Sequence, residues 1–303
     1  MSLLSEIIMP EHATEKPLLW LIFGPPKVGK TTLAASFPSP LLVDIEGGTG
    51  FIRVPQFPLR DKVANGGGTA YQILGALYKE LRAGDHGFKT VIFDTADELW
   101  ESLARPRKKA GKLPLADYQE LYEQFLGILE SFRALGLDIV LTAHVKSETD
   151  EDGRIIATDV KLPGQLQGKV TGKVDEILYL TMKRTEDASG SERGVQNRVL
   201  VCQPTDHPKY GQIRAGDRSG RLPAHILNPT FKELAVAKTF APGLFDGKGD
   251  VQDVRPVAEP QESPAFTPDP DPAPPVDHDA EMDELFGAVK APRNGKVAKE
   301  VAA

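Results

Sequence analysis

The stretch LLWLIFGPPKVGKTTLAASF, residues 18–37, constrains this chain more than any other segment. Six apolar residues, Leu18–Phe23, read as a strand buried on both faces. The chain then breaks at Gly24, Pro25 and Pro26, passes Lys27 and Val28, and closes with Gly29, Lys30, Thr31 and Thr32. The spacing is G-x-x-x-x-G-K-[ST], in which two glycines let successive backbone N–H groups turn inward around an anion. A helix over Lys30–Phe37 adds its positive end. In this pattern Lys30 reaches the β- and γ-phosphates and Thr31 offers its hydroxyl to Mg²⁺. A strand, a loop and a helix in this order open a parallel α/β sheet and imply a bound nucleoside triphosphate.

The rest of the body keeps the same alternation. Strands are expected at PLLVDIE (Pro40–Glu46), KTVIFDT (Lys89–Thr95) and LDIVLTAH (Leu137–His144). Helices are expected over Ala70–Gly84, with apolar positions Ile73, Leu74, Leu77 and Leu81, and over Ala116–Gly136. VDEILYLTMKR and RVLVCQP read as later strands, antiparallel at one edge. The fold class is therefore α/β, with a central mainly parallel sheet flanked by helices.

Ligands of such sheets bind beyond the carboxyl ends of the strands, so polar residues there are candidates for chemistry. Asp94 ends the apolar run VIFD and suits a carboxylate that orders Mg²⁺ through water. Asp94 or Thr95 could equally cap a helix beginning in TADELWESL. Asp44 and Glu46 end LLVDIEGG, placing Glu46 where a base can polarise an attacking water.

These residues carry a resemblance. LLVDIEGG resembles the strand ending Asp-x-Glu in RecA/RadA-type recombinases, which would make Glu46 the catalytic carboxylate. IVLTAHVK is similar to the strand that ends in a γ-phosphate-sensing residue, and its HVK is close to the HVTK of bacterial RadA, giving that role to His144. GDRSGRLP (Gly216–Pro223) resembles the closing motif of phage AAA-type ATP-binding proteins, a group that includes Sak-type single-strand annealing proteins. The resemblance runs from about Leu18 to Leu227. It implies a RecA-like P-loop NTPase core, a Mg²⁺-dependent ATPase with ATP as its ligand, a homo-oligomeric ring or filament, and single-stranded DNA as partner in phage recombination or repair. Where such relatives commonly carry a lysine this chain has Gly216, so a group acting on a neighbour's nucleotide would be Arg218, with Arg214 and Lys209 nearby.

The resemblance also implies two DNA-facing loops. The first is LARPRKKAGKLPLADY, where Arg105, Arg107, Lys108, Lys109 and Lys112 fall within eight residues with no acid among them. The second is VKSETDEDGRIIATDVKLPGQLQGKVTGK, expected to be a long mobile loop bearing Lys161, Lys169 and Lys173. Only Tyr118, at the edge of the first, offers an aromatic face, which argues for backbone contacts without sequence readout.

Charge divides the chain. The net charge is −7 over 303 residues, yet the segment from Asp246 onward alone holds 13 acidic and 6 basic residues. Three regions are expected: an N-terminal arm (1–16), the ATPase domain (17–241), and a Pro-rich acidic tail (242–303) too charged to fold. Within the tail, residues 279–290 show helical spacing at Met282, Leu285, Phe286 and Val289, which reads either as a transient helix with no partner or as a short peptide docking a single-strand-binding protein or another replication partner. Cys202 is the only cysteine, which excludes an internal disulfide or a cysteine-based metal cluster. The other five histidines show no metal spacing. No apolar run approaches the ~20 residues that span a bilayer, and the expectation is a cytoplasmic protein in a phage-infected or prophage-carrying bacterium. Two other readings compete: a nucleotide switch or assembly ATPase that binds protein, and a small-molecule kinase, for which no acceptor site or lid is evident.

Overall fold

The computed structural model describes residues 16–184, 196–207 and 209–238. The N-terminal arm, the acidic tail and its 279–290 segment lie outside the described residues. In chain order the elements are β1 (Leu19–Gly24), α1 (Lys30–Ala34), β2 (Pro40–Asp44), β3 (Gln56–Pro58), α2 (Leu59–Ala64), α3 (Ala70–Arg82), β4 (Thr90–Asp94), α4 (Ala96–Ala104), α5 (Asp117–Arg133), β5 (Asp138–Thr149) and β6 (Ile155–Val160). They continue with α6 (Gln165–Lys173), β7 (Glu176–Arg184), β8 (Gln196–Val201), β9 (Thr205–His207), β10 (Gly211–Ile213), β11 (Gly216–Asp217), β12 (His225–Leu227) and α7 (Phe231–Leu234).

The main sheet runs β12-β8-β7-β1-β5-β4-β2-β3. From β7 through β3 every neighbouring pair is parallel, while β8 and β12 close the other edge antiparallel. Strand β5 is inserted between the strand that feeds the phosphate loop and the strand that ends in Asp94. Alternation within each strand divides the core between two faces. Leu19, Leu21 and Phe23 of β1 join Val91, Phe93, Ile139 and Leu141 under α3, α4 and α5. Trp20 and Ile22 face the other way with Leu42, Ile92 and Val140, against Leu33, Phe37 and Leu234.

Helix α3 shows how local sequence sets an element. Thr69 caps it and Gln72 reciprocates, while Ile73, Leu74, Leu77 and Leu81 are all buried. The segment containing β3 and α2 lacks a readable pattern because Pro55 and Pro58 interrupt it.

The expected second loop is corrected by the structure. Instead of a mobile loop, β5 continues past His144 to Thr149, turns at Asp150–Gly153, and returns as antiparallel β6. Asp150 Oδ1 accepts the Arg154 N–H at 2.8 Å, which closes the turn. The following stretch forms α6, held by fully buried Leu166 and Val170. Lys169 and Lys173 therefore sit on a packed helix.

Candidate functional site

The phosphate loop follows from close packing at its first glycine. A Cβ on Gly24 would stand 2.1 Å from the Leu180 carbonyl oxygen of β7, so only glycine lets the backbone turn there. Gly29 has φ +98°, a left-handed conformation that side chains resist, and it caps α1. Lys30 is 6% exposed, and its Nζ donates to the carbonyls of Gly24 at 3.0 Å and Pro25 at 2.9 Å. Burial lowers the Lys30 pKa, and the nearby charges of Asp94, Asp97 and Glu46 oppose that shift.

Asp94 ends β4 and is 4% exposed. The Thr31 hydroxyl lies 3.2 Å from each of its carboxylate oxygens, and the Thr142 hydroxyl also donates to it. Burial raises its pKa, while the hydrogen bonds from Thr142 and Thr31 oppose the rise. The helix-capping alternative resolves by division of labour. Thr95 caps α4 through the Glu98 N–H, which leaves Asp94 to face Thr31.

Glu46 lies just past β2, with its side chain exposed. Its backbone is fixed on two sides: the N–H donates to Asp94 O at 3.3 Å, and the carbonyl accepts from Arg60 Nη1 at 2.7 Å. Asp44 serves the turn, accepting the Gly47 N–H at 2.7 Å. Glu46 lines a cleft of about 400 Å³ together with Arg60, Glu98, Ser102 and Arg105.

His144 sits two residues after Thr142 on β5, on the same face of the strand. Its Nδ1 is 2.7 Å from Asp97 Oδ2, and its backbone N–H donates to Asp97 Oδ1 at 3.3 Å. The hydrogen bond to Asp97 raises the His144 pKa. For Asp97, burial pushes the pKa up, but the hydrogen bonds and charge supplied chiefly by His144 outweigh it and hold the carboxyl low. The pair leaves Nε2 as the ring nitrogen free to meet a ligand. Asp97 has no motif to announce it, because its partner lies 47 residues away. Thr142 could have been found from its place two residues before His144.

The predicted cationic residues fare unevenly. Arg107 makes a two-pronged pair with Glu120 at 2.6 and 2.7 Å, and Lys108 pairs with Glu101 at 2.5 Å. The run is acid-free in sequence but not in space. Arg105, Lys109 and Lys112 are exposed and have no acidic partner among the described residues. Lys161 lies 3.9 Å from Asp97, while Lys173 pairs with Glu130. Tyr118 packs on Trp100 and Tyr122, so its ring belongs to the α4–α5 contact. Arg218 lies at the amino end of β7, across the sheet from the phosphate loop, with Nη1 3.2 Å from Asp175 Oδ1. Within this chain it does not approach the loop.

A buried lysine, a hydroxyl facing a buried carboxylate, and an acid and a histidine on the strands either side of β4 define the site of a P-loop NTPase. Residues 16–210 match the family model described as AAA domain, and the chain belongs to that family. No curated protein matches its sequence. Among solved structures, the RadB recombinase is similar at 17% identity, over 66% of this chain and 92% of that one, with a TM-score of 0.37. Flagellar accessory protein FlaH from Methanocaldococcus jannaschii is similar at 13% identity, over 66% and 90% of the two chains, with a TM-score of 0.35. The KaiC-like protein from Pyrococcus horikoshii OT3 is similar at 14% identity, over 64% and 81%, with a TM-score of 0.35. Among the described residues no helix is long and apolar enough to cross a membrane.

Proposed function

We propose that this chain is a Mg²⁺-dependent ATPase that works on single-stranded DNA as a homo-oligomer, in annealing or recombination of the phage type. The observation that carries the ATPase reading is the convergence of Lys30, Thr31, Asp94, Glu46 and His144 at one edge of the sheet, although they come from four strand ends. Residues 24–32 would cradle the phosphates through backbone N–H groups, and Lys30 would exchange its two loop carbonyls for phosphate oxygens. The Thr31 hydroxyl and the Asp94 carboxylate face each other as a hard oxygen donor set, which fits Mg²⁺ and its water shell. When bound, Mg²⁺ neutralises charge on the β- and γ-phosphate oxygens. Glu46 orients and deprotonates the attacking water. His144, held by Asp97 and kept protonated to higher pH, presents Nε2 toward the γ-phosphate and carries its state along β5. Arg218 would act on the nucleotide of a neighbouring subunit.

For DNA, support comes from the exposed, unpaired Arg105, Lys109 and Lys112, together with Lys161 and Lys169. The reading of the chain as an assembly ATPase that binds protein is favoured by one observation: Arg107 and Lys108 are already neutralised by Glu120 and Glu101. Fluorescence anisotropy with labelled single-stranded DNA decides between them. The DNA reading expects affinity that needs ATP, weakens steeply with salt, and disappears in Lys30→Ala. ATP binding without any ATP-dependent DNA affinity would leave the protein-binding reading.

A further inference from the structure

The geometry points to Arg198 as a second cation for the bound nucleotide, supplied in cis and directed at the α- and β-phosphates. Its guanidinium lies against the phosphate loop: Nε, Cζ and Nη2 are 2.7, 2.8 and 3.1 Å from where a Cβ on Gly29 would stand. Gly29 thus serves a second purpose, leaving room for an arginine beside the loop. The arginine is held in place from behind. Its backbone N–H donates to Asn228 Oδ1 at 3.0 Å, and its carbonyl accepts the Asn228 N–H at 2.8 Å. Strand β8 pairs Arg198 with Met182, two residues beyond the Leu180 that abuts Gly24, which sets it past the carboxyl end of β1.

Burial without a partner sets it apart, since Arg53, Arg82, Arg105 and Arg154 are all exposed. Arg107, Arg133, Arg214 and Arg218 each pair with a carboxylate, and Arg60 with the Glu46 carbonyl. The half-buried guanidinium of Arg198 has no hydrogen-bond or ion-pair partner among the described residues. A half-buried guanidinium beside an anion-binding loop, with no carboxylate to meet it, calls for an anion. The side of approach assigns the phosphates. Asp94, Glu46 and His144 come from β4, β2 and β5 on one side of β1, whereas Arg198 comes from the β7–β8 side. The γ-phosphate belongs with the acids and the histidine, which leaves the α- and β-phosphates to Arg198.

This inference rests on the nucleotide reading of the loop, and the test separates the two. Titration calorimetry would measure ATP and ADP binding to wild type, Arg198→Gln, Arg198→Lys and Lys30→Ala, with inorganic tripolyphosphate as a competitor. Loss of one charge-assisted contact is expected to weaken ATP and ADP alike by about tenfold in Arg198→Gln, equivalent to ~1.4 kcal/mol. Arg198→Lys should recover part of the loss, and tripolyphosphate should weaken in parallel. Unchanged affinity in both Arg198 variants, while Lys30→Ala abolishes binding, would overturn the role of Arg198 and leave the nucleotide site standing. A loss for ATP but not for tripolyphosphate would move Arg198 onto the purine and overturn the phosphate assignment. Absence of nucleotide binding in the wild type would overturn both.

Discussion

The two ends of the parallel sheet carry similar numbers of charges and use them differently. At the amino end the acids clamp the starts of strands. Asp138 accepts the Leu18 N–H at 2.8 Å and the Lys238 ammonium at 2.7 Å. Asp175 accepts the Leu19 N–H at 2.9 Å and pairs with Arg133 and Arg218 at 2.8 and 3.2 Å. Asp217 gathers the Ser219 hydroxyl and the N–H groups of Gly220 and Leu222, folding the motif that follows it into a turn. At the carboxyl end, the His144–Asp97 pair aside, Lys30 leans on loop carbonyls and Asp94 on hydroxyls, partners that a ligand can replace. One edge is closed on itself and the other is prepared for exchange. A charge at the first edge should therefore matter to stability, and a charge at the second to chemistry.

The largest expected effect is at the carboxyl edge. Glu46→Gln should slow ATP hydrolysis by about 10²–10⁴-fold, the range for losing a general base, while nucleotide affinity and unfolding midpoint stay near wild type. Steady-state phosphate release and calorimetry would check this, and a large stability loss would break the contrast. At the amino edge, Asp175→Asn leaves Arg133 and Arg218 without their carboxylate. Because both arginines keep access to water, it should cost about 1–2 kcal/mol in denaturant unfolding yet leave ATP affinity within about twofold. A selective loss of ATP binding would show that this edge does more than hold strands together.

The third prediction concerns pH. Glu176 is 1% exposed beside Asp217, and burial, reinforced by that neighbour, pushes its pKa up to about 9. Because the folded pKa is raised above the unfolded value, its contribution is fully present below about pH 4.5 and is lost as pH rises through about 9. A glutamine keeps the donor toward Asp217 and removes the titration. Glu176→Gln should thus match wild type near pH 5 and melt several degrees higher near pH 9, as thermal unfolding at the two values would show. The smallest effect belongs to a pair outside both edges: Arg107→Ala should change stability by no more than about 1 kcal/mol, because its partner Glu120 is exposed.

Much of the carboxyl edge was legible in the sequence, since each of its residues ends an apolar run: Gly24 after LLWLIF, Asp94 after VIF, His144 after IVLTA. Strand ends are local facts, and parallel sheets bring them together. What could not be read was pairing across distance. Asp97 meets His144, Glu120 neutralises Arg107, and Arg198 reaches Gly29, all through contacts that no local pattern encodes. The stretch after His144 misled for a related reason. Its glycines and acids read as a loop, whereas the alternation that builds the β5–β6 hairpin is satisfied only when the two strands meet. The DRSGRLP stretch, informative as a resemblance, proves in the structure to be a turn organised by Asp217 at the edge away from the phosphate loop.

The length of β5 has a mechanical consequence. The strand continues past His144 to Thr149, paired along the way with β6, so five further residues run about 17 Å beyond the histidine. On its far side β6 pairs with β10, and Arg214 ties Glu148 of β5 to Asp159 of β6, so the extension is braced along its length. A shift at His144 would therefore be passed to β6 and β10 together, as one sheet moving rather than one strand bending.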